Sequence, residues 1–216
     1  LESSYGFVKD PAEKDDSKQL QKIFNQVPEI ILHRTISGRI LIDTPYKLYL
    51  TESIIDAGPG VDGDAKKSFA ITGTTNDANT WGAPTQVNSI TVFGRMRVES
   101  ISGQGGIWVH QLEVLNNQKG CLKFSYFRGV GDRLPQNHAC VTGTEAKLRF
   151  VSEIFGQPAY GQLHQSTDIR IREQGPNDDF MGAFGFLLEA HKWRNLQIRF
   201  REFMPVGIKP LLIPVT

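Results

Sequence analysis

Short runs in which apolar and polar side chains alternate recur through the middle of the chain at a nearly fixed interval. Ile90 and Val92, Ile107 and Val109, then Leu122 and Phe124 form one series, at steps of 17 and 15 residues. Met96 and Val98 form a second series with Leu112 and Val114, 16 residues further on. Alternation puts successive side chains on opposite faces, so each run predicts a short, half-buried strand. The joints between them, 102–106 and 116–120, are polar or glycine-rich and predict corners. Two strands in each repeat of about sixteen residues predict a β-solenoid, in which each rung buries its face against its neighbours. An antiparallel meander with hairpins of similar length is the alternative that gives similar spacing.

The same grammar extends backwards through Ile30-Ile31-Leu32, Ile40-Leu41-Ile42, Leu48-Tyr49-Leu50 and Ile54-Ile55. Leu48-x-Leu50-Thr-Glu-Ser-Ile54 echoes Met96-x-Val98-Glu-Ser-Ile101, a worn internal repeat. The expected organisation is an N-terminal arm over 1–28, the solenoid over 29–127 and a C-terminal capping region over 128–216. Residues 58–88 break the period and read as a loop insertion. Only Ser68-Phe69-Ala70-Ile71 offers a further strand there, so removal of the insertion is expected to leave the fold standing. Trp81, near its end, is either tucked back on the solenoid or a contact anchor.

In the arm, Leu20, Ile23 and Phe24 are candidates for contact with a partner, with a solvated tail as the alternative. At the other end, Trp193, Leu196, Phe200 and Phe203 fall at i, i+3, i+7 and i+10 and predict an amphipathic helix over 189–203. Pro205 and Gly207 stop it. A solenoid end exposes core and unpaired backbone, so the helix is expected to cap the last rung, its stripe buried near Leu122 and Phe124. Leu211, Leu212 and Ile213 lie between prolines and predict an extended apolar tail on the domain or on a neighbour.

Composition narrows the function classes. Lys and Arg total 24 against 23 Asp and Glu, so no global field draws the chain to nucleic acid. The longest apolar runs fall far short of a spanning helix, and the sequence reads as soluble and cytoplasmic. Cys121 and Cys140, nineteen residues apart, read as two reduced thiols or as a disulfide. His138 beside them is too little for a zinc site. The other histidines are scattered, and Asp62-Gly63-Asp64 lacks the acidic twelfth ligand of a calcium loop, so no metal and no cofactor is expected. Parallel β-helices that cleave polysaccharides need convergent carboxylates. Asp43, Glu52, Asp56, Glu99 and Glu113 are the candidates, but none is placed one repeat from another, and solvated charges explain them better. No catalytic residue is expected.

Ser53-Ile54-Ile55-Asp56-Ala57, Val92-Phe93-Gly94-Arg95, Gly120-Cys121-Leu122-Lys123-Phe124-Ser125-Tyr126, Tyr160-Gly161-Gln162-Leu163, Met181-Gly182-Ala183-Phe184 and Arg201-Glu202-Phe203 carry a resemblance. From Leu48 onward the chain resembles a family of bacterial proteins that accompany phage-tail-like contractile injection systems. The family has glutamate before Met-Gly-Ala-Phe, where this chain has Phe180, and a more acidic helix. The resemblance implies a mainly β fold, a right-handed parallel β-helix with one capping α-helix, and a non-enzymatic structural component of the baseplate, present in several copies and docked to other baseplate proteins. Such an assembly can attach to a membrane. A polysaccharide-binding or polysaccharide-cleaving β-helix, and a module that moors the assembly to a membrane or envelope, are the alternatives.

Overall fold

The structure, a computed structural model, describes residues 28–75 and 80–208. The arm candidates Leu20, Ile23 and Phe24 and the tail candidates Leu211, Leu212 and Ile213 lie outside the described residues. The described chain is mainly β, arranged as three parallel sheets followed by helical segments. Numbered in chain order, the first sheet runs β1 (Glu29–His33), β4 (Lys47–Thr51), β7 (Thr85–Asn88), β10 (Ile101–Gln104), β13 (Cys121–Lys123) and β15 (Gln136–His138). The second runs β2 (Ile36–Ser37), β5 (Ile54–Asp56), β8 (Thr91–Phe93), β11 (Ile107–Trp108), β14 (Tyr126–Phe127) and β16 (Val141–Thr142). The third holds β3 (Ile40–Leu41), β6 (Phe69–Thr72), β9 (Arg95–Val98) and β12 (Leu112–Val114). Consecutive strands thus go to different sheets and every pair within a sheet is parallel, which excludes the antiparallel meander and is compatible with the expected β-helix.

The second series of alternations has the register the spacing predicts, Met96 opposite Leu112 and Val98 opposite Val114. The first series does not. Ile107 pairs with Thr91 and Tyr126, while Leu122 pairs with Gly103 in another sheet. Three strands, not two, are laid down before the first sheet is revisited. The missed strand is β10, read as a corner because it contains Gly103. Gly103 has φ +142°, and a Cβ there would stand 1.8 Å from the Val87 carbonyl oxygen, so only glycine lets this strand close on β7.

The 58–88 segment is likewise not an insertion that can be lifted out. It contains β6 and β7, both in sheet interiors, with Phe69, Ala70, Ile71, Ala83 and Val87 buried. Only the connections 57–68 and 73–84 are long. Nor does strand structure stop at Phe127, since β15 and β16 extend two sheets to Thr142.

Two cores follow from alternation on the second sheet. Ile55, Val92, Trp108 and Phe127 face inward and join Leu48, Val87, Leu122, Ile71, Met96 and Leu112 from the other two sheets in one cluster. Trp108 stacks on Phe127 at 5.2 Å and its indole N–H reaches the Met96 sulfur at 3.2 Å. Burying each of these large side chains stabilises the fold by about 1.5–3 kcal/mol. The alternate residues Ile54, Phe93, Ile107, Tyr126 and Val141 face outward, against Ala146, Leu148, Phe150, Tyr160, Ile171, Met181 and Ala183 of the C-terminal region. Phe93 meets the Phe150 ring at 4.9 Å.

The C-terminal region therefore covers the flank of the second sheet and does not cap the stack. It includes α1 (Ile169–Glu173), whose Asp168 cap accepts a hydrogen bond from the Arg170 amide at 2.9 Å, and ends in α2 (Glu189–Phe203). The bounds of α2 match the predicted helix, but its place does not. Among its described residues only Ala190 is buried, and Leu196, Phe200 and Phe203 are exposed. The first turns are tied down by the Ala190 amide on Asp179 Oδ1 and by Arg194 on Glu173, and from Asn195 to Ile208 the chain projects into solvent.

Candidate docking surfaces

The acidic residues considered for catalysis are held apart by structural partners. Asp43 Oδ1 accepts the Thr74 amide and Oδ2 its hydroxyl, and these bonds hold the carboxyl below the usual aspartate range. Glu52 pairs with Arg34 at 2.5 Å and lies 3.4 Å from His33. Asp56 Oδ2 accepts the Tyr160 hydroxyl at 2.6 Å across to the C-terminal layer. Burial, reinforced by the Asp56 charge, drives that phenol well above its ordinary range, so it stays a donor. Glu113 takes Arg95 on one oxygen and Arg97, at 2.9 Å, on the other. Glu99 stands half-buried, with its amide on the Gly82 carbonyl.

Arg95, Arg97 and Glu113 stack on neighbouring strands of the third sheet's outer face, where parallel register brings residues distant in sequence side by side. Arg95 and Arg97 lie over Phe69 at 4.8 and 5.1 Å, and Arg97 also lies over Trp81 at 5.4 Å. Trp81 is thus half-buried against this sheet, the tucked-back arrangement, and is not a projecting anchor. Guanidiniums sandwiched between a carboxylate and aromatic rings rigidify the face.

Cys121 and Cys140 are free thiols, each within 3.8 Å of the Leu122 carbonyl oxygen. Burial raises the Cys140 thiol above its usual range, which makes it a poor nucleophile. His110 is buried and its Nε2 donates to the Gly60 carbonyl at 2.8 Å, fastening the 57–68 connection. Burial lowers its pKa, with Arg128 adding to the effect and Glu153 opposing it. Among the described residues no group of three or more His, Cys, Asp or Glu is placed to hold a metal, and no helix is long and apolar enough to cross a membrane. A groove of about 790 Å³ opens beside the C-terminal layer, lined by Tyr126, Arg128, Lys147, Arg149 and Glu153.

Two exposed apolar surfaces among the described residues bear on docking. At the start of the stack β1, β2 and β3 are each paired on one side only among the described residues, and they expose Ile31 (69%), Ile36 (49%) and Leu41 (46%). Leu32 and Ile40 at this end, and Leu134 and Cys140 at the opposite end, are partly buried against the inner core. The second surface is the projecting half of α2. The hydrophobic runs at both places were legible in the sequence, but only tertiary placement shows them uncovered. The sequence matches no protein-family model, and neither a curated protein nor a solved structure matches it.

Proposed function

We propose that the chain is a non-enzymatic docking subunit built as a right-handed parallel β-helix, serving as a structural component of the baseplate of a phage-tail-like contractile injection system. The observation that carries the docking role is the edge formed by β1, β2 and β3, where, among the described residues, all three parallel sheets end and Ile31, Ile36 and Leu41 are exposed. Unpaired strand edges with exposed Ile and Leu are templates for another chain, and natural proteins leave them open where something binds. Parallel strands stacked around one core make a stiff spacer, suited to holding neighbouring subunits at a fixed separation. The partners of Asp43, Glu52, Asp56 and Glu113 support the non-enzymatic reading, because each carboxylate already serves an internal bond.

The test is co-expression of the chain with the sheath, tube and baseplate subunits of such a system, followed by purification of assembled particles. Ile31→Asp and Leu41→Asp are expected to leave the melting temperature of the isolated protein nearly unchanged, since both side chains are exposed, and to remove it from the particles. Incorporation that ignores both substitutions overturns docking through this edge. A second reading, polysaccharide binding, draws on the groove lined by Tyr126, Arg128, Lys147 and Arg149. Glycan retention lost on Arg149→Ala, with particles unaffected by the edge variants, would favour it.

A further inference from the structure

The projecting half of α2 changes its electrostatic character where it leaves the rest of the protein. In the first turns Lys192 is paired with Glu189 and Arg194 with Glu173, each at 3.0 Å. Beyond Asn195 the described basic residues are Arg199 and Arg201, and no ion pair joins either to a described carboxylate. Successive helix positions are about 100° apart, so Arg199 and Arg201 flank Phe200 on opposite shoulders. On the same spacing Leu196, Phe203 and Met204 fall within about 60° of Phe200, and the carboxylate of Glu202 points to the back. The result is an apolar stripe about 100° wide with a cation on each side.

Leu196 (41%), Phe200 (38%) and Met204 (36%) are each exposed along the stripe, Phe203 is most exposed of the four at 82%, and exposure is high past the helix end at Val206 and Ile208. A second copy is a poor occupant, because a helix pair seamed on Phe200 and Phe203 brings Arg199 and Arg201 of both copies to the seam with no carboxylate facing them. The stripe also lacks a central polar side chain that would fix the register of a protein helix, and only Gln197 borders it. An exposed apolar face with its rings shouldered by cations suits a fluid apolar phase with an anionic surface.

We propose that residues 195–208 form an interfacial element that lies on an anionic lipid bilayer, with Phe200, Phe203 and Met204 in the acyl boundary and Arg199 and Arg201 on the headgroup phosphates. The contact is peripheral, and it is separate from docking through the β1–β3 edge, so either can hold without the other. Because the tip stands clear of both cores, the bilayer can be engaged without rearranging the fold.

The full chain is sedimented with phosphatidylcholine vesicles, with and without phosphatidylglycerol. Binding is expected on the anionic vesicles only and should weaken with added salt. Phe203→Asp should abolish it, while Arg199→Gln and Arg201→Gln should each weaken it about fivefold, as loss of one basic residue near an anionic surface does. Equal binding to neutral vesicles, no binding to either, or binding that ignores the Phe203 and Arg199 substitutions overturns the proposal. A concentration-dependent dimer abolished by Phe203→Asp, without vesicle association, overturns it in favour of a second copy. Loss of particle incorporation by Phe203→Asp, again without vesicle association, overturns it in favour of an acidic protein groove.

Discussion

Ile55, Val92 and Trp108 stand one above another on the inner face of the second sheet and are wholly buried, whereas Leu196, Phe200 and Phe203, as regularly spaced on α2, are 38–82% exposed. The two stripes look equally like core in the sequence. What separates them is supply of a second surface. The sheet column faces two other sheets, each of which presents its own inward residues, so apolar area is removed from water on all sides. The helix is tied to the C-terminal layer through its first turns, where Ala190 is buried, and every described residue from Asn195 onward is exposed. Periodicity shows which side chains share a face, and the fold decides whether the face is covered.

The sharpest break in this comparison is large-to-small substitution in the sheet column. Trp108→Ala removes the Phe127 stack and the Met96 contact and leaves a cavity among three sheets, so it should cost about 3–5 kcal/mol in a denaturation experiment. A loss below about 1 kcal/mol would show that the sheets do not enclose that ring. Of intermediate size is a pH effect. The folded pKa of His110 lies below its unfolded value, so the unfolded state binds the extra proton. The stability it contributes is present above the unfolded value of about 6.5 and is lost as pH falls toward the folded pKa. His110→Gln should flatten that part of the stability profile, and an identical acid limb in both proteins would remove His110 from the account. The smallest effect belongs to the helix: Phe203→Ala should change stability by about 0.5 kcal/mol or less, as exposed substitutions do. A loss comparable to that of Trp108→Ala would mean that α2 folds back on the core.

The parts of the fold that were legible are those whose signal is local. Met96-x-Val98 and Leu112-x-Val114 fell in the right register because one uninterrupted repeat of 16 residues separates them. Leu48 and Thr85 are also neighbours, but 37 residues apart, since the connections 57–68 and 73–84 lengthen that repeat. Connection length is free at a corner, so a fixed period is lost while the pairing persists. β7, Thr-Gln-Val-Asn, carries only one strongly apolar residue, and β10 hides behind Gly103; both strands are held by neighbours on either side and not by their own pattern. Of the surface candidates, Trp81 was visible as a tryptophan in a polar stretch, but its berth against Arg97 depends on two distant strands. The open edge at Ile31, Ile36 and Leu41 left no separate mark, because edge and interior strands of a parallel sheet carry similar apolar runs.

By itself the sequence determined the β character of the middle of the chain, the pairing of Met96 and Val98 with Leu112 and Val114 and the extent of the final helix, since each follows from the spacing of side chains along a few turns or a single repeat. Only the tertiary structure decided that three sheets share one core, that the C-terminal region lies along the flank of the second sheet, and that Asp56 is bound to Tyr160 and Glu113 to two arginines. Those outcomes depend on which surfaces meet across tens of residues, and burial is a property of both surfaces, of which any local pattern describes one.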